Sequence, residues 1–163
     1  MINRLKTDAE VAEYIGDRFP DEDIIFPTGY PEAFIGISTD GAAIYDKDSM
    51  IATLVEADGM TWEEATEFLE YNVYNTHMSD HITPIYIDRL TEGEIPLTEY
   101  PKPFIGISTE GAGVYDRGLI IDMLMEEEDM TLEKAKERMK ALEDNTFKAD
   151  TPYQVDPIYI DLI

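Results

Sequence analysis

The stretch that decides the fold is Tyr30-Pro-Glu-Ala-Phe-Ile-Gly-Ile-Ser-Thr-Asp-Gly-Ala-Ala-Ile-Tyr-Asp46. Seventy residues later it returns as Tyr100-Pro-Lys-Pro-Phe-Ile-Gly-Ile-Ser-Thr-Glu-Gly-Ala-Gly-Val-Tyr-Asp116, and Pro84-Ile-Tyr-Ile-Asp88 likewise returns as Pro157-Ile-Tyr-Ile-Asp161. Self-similarity of this density indicates an internal duplication. We divide the chain into an N-terminal extension (1–23), a first repeat (24–93) and a second repeat (94–163).

Each repeat begins with two short strands joined by a tight turn. Phe34–Ser38 and Ala42–Tyr45 favour strands, and the Asp40-Gly41 pair between them is typical of a hairpin turn. A closing strand is predicted at Ile85–Asp88, where the preceding proline suits the start of a strand. The matching features of the second repeat are the Glu110-Gly111 turn and the closing strand Ile158–Asp161.

Two helices are predicted between the second and third strands of each repeat. In the first repeat Asp46 or Asp48 is positioned to cap the first helix, which ends near Gly59. Thr61-Trp-Glu-Glu64 then has the pattern of a capping box, and apolar residues follow it at helical spacing. The extension carries its own box, Thr7-Asp-Ala-Glu10, which predicts an amphipathic helix lying on the first repeat.

These patterns predict an α+β fold of two tandem ββααβ modules plus an N-terminal helix. Each module is expected to be a three-stranded antiparallel sheet with two helices on one face. If the strand isoleucines face the helices, alternation sends the strand aromatics to the opposite face. We expect those rings to pack at an interface between modules or between chains. They are Phe34, Tyr45, Tyr86, Phe104, Tyr115 and Tyr159.

The composition excludes several classes of protein. The 163 residues include 36 Asp and Glu against 12 Lys and Arg, a net charge of -24, which excludes direct nucleic-acid binding and disfavours an anionic membrane surface. With 44% hydrophobic residues the chain should nevertheless fold. The absence of cysteine excludes disulfides and thiolate chemistry. No apolar stretch approaches the length of a membrane span, and Met1 to Glu10 lacks the apolar core of a signal peptide, so we predict a cytoplasmic protein.

A resemblance rests on the string Gly-Ile-Ser-Thr-Asp-Gly, followed by Tyr45-Asp46, Leu54, Asp58-Gly-Met-Thr61, Glu64-Ala65, Glu67 and Glu70-Tyr-Asn72. The first repeat resembles a module of small phage-encoded proteins of unassigned function. The second repeat departs from it, because Glu128-Asp129 and Lys134 replace Asp58-Gly59 and Glu64. Those proteins usually carry one module, so the tandem is also a departure. The resemblance implies a bacteriophage or mobile element as the source and implies no activity.

No motif in the chain names a reaction. A phosphate-binding loop, a dinucleotide fingerprint, a nucleophile elbow and an EF-hand loop are all missing from the sequence, so we predict neither an enzyme nor a cofactor. His77 and His81 lie four residues apart with Asp80 between them, which is a weak metal-binding pattern. The second repeat has no histidine there, so a polar loop is the preferred interpretation. A metal-binding or small-molecule sponge stays as an alternative.

Acidic residues give the remaining functional hypothesis. Duplex DNA carries one charge per about 1.7 Å, so 24 charges correspond to about 40 Å of duplex. A row of carboxylates can therefore mimic DNA and occupy the basic groove of a nucleic-acid-binding host defence protein, such as a restriction enzyme or a CRISPR effector. The alternatives are an acidic surface that only confers solubility, and an assembly module that forms homo-oligomers through its aromatics. The candidate partner-binding acids are Glu63, Glu64, Glu67, Glu70, Glu126, Glu127, Glu128 and Asp129.

Overall fold

The secondary structure is given by a computed structural model, which describes residues 4–74, 82–89, 102–144 and 158–162. Its helices are α1 (Asp8–Arg18), α2 (Lys47–Asp58), α3 (Trp62–Leu69), α4 (Arg117–Glu127) and α5 (Leu132–Asp144). Its strands are β1 (Phe34–Ser38), β2 (Ala43–Asp46), β3 (Ile85–Arg89), β4 (Phe104–Ser108), β5 (Gly113–Asp116) and β6 (Ile158–Leu162). A 3-10 turn over Pro31–Ala33 precedes β1, and a π-helical turn over Glu70–Tyr74 continues α3. The predicted boundary at 93/94 lies outside the described residues.

The six strands close into one barrel in chain order. Within each repeat the first two strands form an antiparallel hairpin, and the third strand runs parallel to the second. The free edge of β3 pairs antiparallel with β4 of the second repeat, and β6 pairs in the same way with β1. The prediction of two modules with separate, open, antiparallel three-stranded sheets is therefore wrong.

The helices between the strands explain why the third strand is parallel. Two helices carry the chain from the end of β2 back to the beginning of β3, and a connection of this length is the one that joins parallel strands. An open three-stranded sheet would also leave unpaired backbone groups along both of its edges. Pairing each outer edge with the other repeat satisfies those groups, so the closed barrel is the better solution.

Two glycines make the contact between the repeats possible. A side-chain carbon at Gly36 would lie 2.2 Å from the carbonyl oxygen of Asp161, and one at Gly106 would lie 2.2 Å from the carbonyl oxygen of Asp88. Just beyond each glycine, a threonine N–H donates to the opposite repeat: Thr39 to Tyr159 O, and Thr109 to Tyr86 O, each at 3.1 Å. The first glycine of the repeated motif therefore permits close approach of two backbones.

The rest of the motif closes the hairpin. The N–H of Gly41 donates to the carbonyl of Ser38 at 2.9 Å, and the Ser38 hydroxyl accepts from the N–H of Ala42 at 3.0 Å. Gly41 has a φ of 90°, which favours glycine. The same bonds recur at Ser108, Gly111 and Ala112. The predicted hairpin turns are therefore confirmed. The string Gly-Ile-Ser-Thr-Asp-Gly, on which the resemblance rests, forms the hairpin and part of the contact between the repeats.

The barrel interior is filled by aliphatic side chains: each strand contributes one buried residue, and the partly buried Ile85, Ile158 and Leu162 pack against these six. The six buried residues are Ile35, Ile44, Ile87, Ile105, Val114 and Ile160. Two further clusters lie outside the barrel, one beneath the helices of each repeat. α1 contributes Val11 and Ile15 to the cluster of the first repeat, so the expected position of the N-terminal helix is confirmed.

The strand aromatics point in the direction opposite to the expected one. Ile35, Ile44 and Ile87 face the barrel interior, whereas the aromatic rings lie in the two outer clusters, against the helices of their own repeat. The assumption that the isoleucines face the helices holds for Ile37 but is wrong for the other three, because it treated the sheet as open, with one helix-covered face. In a closed barrel both faces are buried, and the narrower interior holds the aliphatic residues.

The predicted helix caps are confirmed. The hydroxyls of Thr7 and Thr61 accept from the N–H groups of Glu10 and Glu64, and both glutamates accept in return from the threonine N–H. Asp46 caps α2, which ends at Asp58 with Gly59 in the left-handed conformation (φ 67°). These local signals set the helix ends before tertiary packing is considered.

Candidate binding surface

The exposed face of α3 carries a row of carboxylates. Glu63, Glu67 and Glu70 are exposed and follow one another at spacings of four and three residues, so they lie on neighbouring turns over about 10 Å. Glu64 is exposed as well, but its side chain is held in the capping box with Thr61, where it accepts the Thr61 N–H at 2.8 Å. The capping box therefore involves none of the three carboxylates in the row.

Large apolar side chains are exposed beside this row. Trp62 is 53% exposed, Phe68 39% and Tyr71 89%. The buried side of α3 is defined by Ala65 and Leu69, and Phe68 and Tyr71 lie off that stripe, three residues apart and hence adjacent. Neither residue was predicted at the surface from the sequence; Phe68 lies three positions after Ala65, a spacing that favours the buried side, whereas Tyr71 lies two positions after Leu69, which points away from it.

An apolar groove of about 360 Å³ opens next to Phe68. Three segments form it: residues 25–30, the end of α3 with its π-helical turn, and residues 83–86 at the beginning of β3. All its lining residues are uncharged, and most are apolar or aromatic. They are Ile25, Phe26, Pro27, Thr28, Tyr30, Phe68, Asn72, Val73, Thr83, Pro84 and Tyr86.

The tyrosines of the groove remain neutral at physiological pH. Burial, with a smaller contribution from the neighbouring Tyr30, raises the pKa of Tyr86 to about 12. Burial also raises the pKa of Tyr30, with a smaller contribution from the charge of Asp58. Tyr74 stacks on Tyr86 with ring centroids 4.7 Å apart, and burial raises its pKa too. The groove is therefore an uncharged, partly aromatic surface within an acidic protein.

The charge around the groove is mainly negative. The segments 21–30, 60–74 and 82–88, which contain its lining residues, include eight Asp and Glu and no Lys or Arg. Two basic residues adjoin Asp88, and both are paired with carboxylates: Arg89, which follows it in β3, with Asp46 at 3.9 Å, and Lys47 with Asp88 itself at 3.1 Å. A ligand at this groove therefore meets apolar side chains at the centre and negative charge around them.

The second half of the predicted acidic surface lies elsewhere. Glu126 and Glu127 end α4, and Glu128 and Asp129 follow in its connection to α5; all four are exposed. The exposed face of α5 has mixed charge instead of an acidic row, because four basic residues interrupt its glutamates. They are Lys134, Lys136, Arg138 and Lys140. The two acidic groups thus belong to the helix pairs of different repeats.

The six strand aromatics, in contrast, lie away from any external surface. Phe34 and Tyr45 are fully buried, and Tyr86, Phe104, Tyr115 and Tyr159 are at most 7% exposed. Phe34 packs edge to face on Tyr45 and on Tyr14 of α1, so its neighbours belong to the same repeat and its helices. The rings hold helices on the barrel, where we had expected an interface between modules or chains.

Metal and membrane sites find no support in the described part of the chain. His77 and His81 lie outside the described residues. Within them, no three His, Asp or Glu side chains are grouped as metal ligands would be. Nor does any helix in these ranges combine the length and the apolar character that crossing a membrane requires.

Comparisons with protein-family models, with curated proteins and with solved structures find no match to this chain.

Proposed function

We propose that this protein is an acidic accessory protein of a phage or mobile element that inhibits a host nucleic-acid-binding defence protein by mimicking DNA. The observation that carries the proposal is the exposed row of Glu63, Glu67 and Glu70 on α3 and its π-helical continuation, which together contain no basic residue. The partner would be the positively charged surface of a restriction enzyme or a CRISPR effector. The site of action under this proposal is the cytoplasm of the host cell.

Electrostatics supports this function over catalysis. Residues 47–74 of the first repeat carry seven acids and one base, and that base is paired with Asp88. A negative field of this kind attracts a basic protein from a distance and repels anionic substrates such as nucleotides. The proposal accordingly includes neither a reaction nor a cofactor.

The alternative of an assembly module loses its main support. That hypothesis needed the strand aromatics on an outer surface, and the six rings are buried inside the chain. Other residues would have to form the interface of a homo-oligomer. We therefore propose recognition of a basic partner rather than self-assembly through the sheet.

A charge-matched pair of variants tests the proposal. The triple variant Glu63→Gln, Glu67→Gln, Glu70→Gln removes three charges from α3 and keeps side-chain size. The control variant Glu133→Gln, Glu137→Gln, Asp144→Asn removes three charges from α5. Binding is measured against a purified restriction endonuclease and a purified CRISPR effector–guide complex, with duplex DNA as competitor.

We expect the α3 variant to associate at least tenfold more slowly with its target and to show a weaker dependence on salt. The control should bind as the parent does, because lysines already offset the acids of α5. Competition by duplex DNA is also expected. Equal binding of parent and α3 variant, or failure of DNA to compete, would contradict mimicry.

A further inference from the structure

We propose that the apolar groove beside α3 is a docking site for a basic protein segment that carries a bulky apolar anchor residue. The inference rests on the proposed function in one respect, namely that the partner is a basic protein. It goes further by assigning recognition to the first repeat and by adding an apolar contact to the electrostatic one.

The shape and lining of the groove favour a side-chain anchor. Its volume of about 360 Å³ falls in the range of sites that hold small organic groups. Tyr30 and Tyr86 are buried and neutral, and Phe68 forms an exposed wall. Apolar pockets of this kind receive the central, energetically dominant residues of protein interfaces.

The charge around the groove selects the rest of the partner. Glu67 precedes Phe68, and the acidic run 21–23 precedes the opposite wall at Ile25. Lysines or arginines on either side of an anchor residue would therefore meet carboxylates, whereas an acidic segment would be repelled. Charge complementarity thus selects a basic segment over an acidic or purely apolar one.

The second repeat cannot build the same site. The positions of Phe68, Tyr71 and Val73 are occupied there by Arg138, Ala141 and Glu143. Glu143 pairs with Arg117, so its carboxylate stands where the first repeat has an apolar wall. Docking is therefore expected at the first repeat alone, with one partner segment per chain.

Two labelled peptides test the inference. The first is a fifteen-residue fluorescein peptide of Lys, Gly and Ser with a central Leu-Phe pair, and the second has Ser-Ser at the centre. Fluorescence anisotropy in 0.3 M NaCl gives the Kd of each. We expect the parent protein to bind the Leu-Phe peptide at least tenfold more tightly, because salt screens the charges and leaves the apolar contact.

Variants assign that preference to the groove. Phe68→Ser should reduce the preference to less than threefold, and Val73→Thr, which keeps the shape of the side chain, should reduce it as well. Trp62→Ser is the control, because Trp62 is exposed on the same helix and does not line the groove. It should retain the full preference. Circular dichroism confirms that each variant is folded.

Several outcomes overturn the inference. They are equal binding of the two peptides by the parent, no binding of either, and an equal loss in Trp62→Ser and Phe68→Ser. A parent dimer that Phe68→Ser dissociates in sedimentation velocity would make a second copy the occupant and would also overturn it.

The triple Gln variant of α3 separates this inference from the proposed function. If this variant binds both peptides more weakly by the same factor, the ratio of their Kd values is unchanged. The groove and the charge then act independently, as expected. If the ratio of peptide affinities is unchanged but target binding responds neither to the Gln changes nor to competing DNA, the docking inference is supported and the mimicry proposal is contradicted. If the parent binds the two peptides with nearly equal affinity but target binding depends on the α3 charges, the docking inference is contradicted and the mimicry proposal is supported.

Discussion

The two repeats use the same arrangement of strands to hold different second helices. α3 is short, ends in a π-helical turn, and exposes Glu63, Glu67, Phe68 and Tyr71. α5 runs without interruption for 13 residues and exposes glutamates mixed with lysines. The barrel-facing positions of both helices are small or apolar, with Ala65 and Leu69 matching Ala135 and Met139. The difference teaches that the inward face of the repeat sets the fold, while the outward face is free to specialise.

The largest expected effect concerns what the repeats share. Gly36→Ala and Gly106→Ala each place a carbon 2.2 Å from a carbonyl oxygen of the other repeat, so we expect each to cost about 3 kcal/mol or more of unfolding free energy. Urea unfolding followed by circular dichroism measures the loss. Because the two contacts are equivalent, the two losses should agree.

Gly16→Ala is the control for that pair. Gly16 lies within α1, and an added carbon would meet no atom within 4 Å, so the change should stabilise the helix by about 0.5–1 kcal/mol. If Gly36→Ala or Gly106→Ala caused no loss of unfolding free energy, the close contact between the backbones of the two repeats would be contradicted.

The second prediction concerns a cap that the repeats do not share equally. Thr61 has the full capping box, whereas the Thr131 hydroxyl accepts one bond of 3.3 Å from the Lys134 N–H and Lys134 has no acceptor to return. Thr61→Ala should therefore cost about 1 kcal/mol, and Thr131→Ala about half as much. Thermal unfolding of the two variants gives the comparison.

Completing the missing box sharpens this comparison. Lys134→Glu should stabilise the protein by about 0.5 kcal/mol, despite the added negative charge. Lys136→Glu makes the same change of charge at a position that does not match the box. If both variants shift the melting temperature alike, the effect is one of net charge and the capping argument is wrong.

A third difference lies at the C-terminal end of the first helix of each pair. Gly59 and Asp129 occupy equivalent positions, and both have a positive φ, of 67° and 51°. Asp129 is the one non-glycine residue with a positive φ in the described ranges. Asp129→Gly should therefore raise the unfolding free energy by about 0.5 kcal/mol.

Asp129→Ala separates backbone from charge in this test. It removes the same carboxylate but keeps a side-chain carbon in the left-handed conformation, so it should not stabilise the protein. A stabilisation of equal size in both variants would assign the effect to relief of charge repulsion.

The smallest expected effect is a pH dependence in the second repeat. Burial raises the pKa of Asp116, with further contributions from the charges of Asp122 and Asp161. The folded state thus binds this proton more tightly than the unfolded chain, so stability rises as the pH falls through the raised pKa towards the unfolded value. Asp116→Asn keeps the N-cap and should raise the melting temperature at pH 7, with a gain that shrinks towards pH 4.

Glu10 gives the opposite sign and serves as the control. Backbone N–H groups of Lys6 and Thr7 lower its pKa, so its contribution is present above the unfolded pKa and is lost as the pH falls through the folded pKa. Glu10→Gln should therefore lower the melting temperature at pH 7 and have little effect at low pH. Parallel pH profiles for the two variants would contradict both assignments.

The local features of the fold could be predicted from the sequence, because their causes are local. The hairpin at Asp40-Gly41, the boxes at Thr7 and Thr61 and the helix end at Gly59 all depend on residues a few positions apart. Barrel closure depends on residues far apart in sequence, such as Gly36 and Asp161, whose proximity no spacing along the chain indicates. Two helices between β2 and β3 did carry a signal for parallel pairing.

The candidate site divides in the same way. Exposure of the acidic row could be predicted from the helical spacing of Glu63, Glu67 and Glu70. The groove could not, because its walls combine residues 25–30 with residues 68–86, about forty positions further along the chain. The reversed orientation of the strand aromatics has a similar cause: alternation gives two faces but does not say which one a closing barrel turns inward.

The third strand of each repeat pairs with the first strand of the other repeat, and this reciprocal pairing bears on the origin of the chain. Each repeat offers the other the same two strand edges and the same glycine, which is the relation between subunits of a two-fold symmetric dimer. A gene that encoded one repeat would specify a homodimer with two identical outer surfaces. Joining the copies in one polypeptide makes their association intramolecular and independent of concentration. It also releases each copy from symmetry, so that one repeat can carry an acidic, aromatic helix surface while the second helix of the other carries a surface of mixed charge.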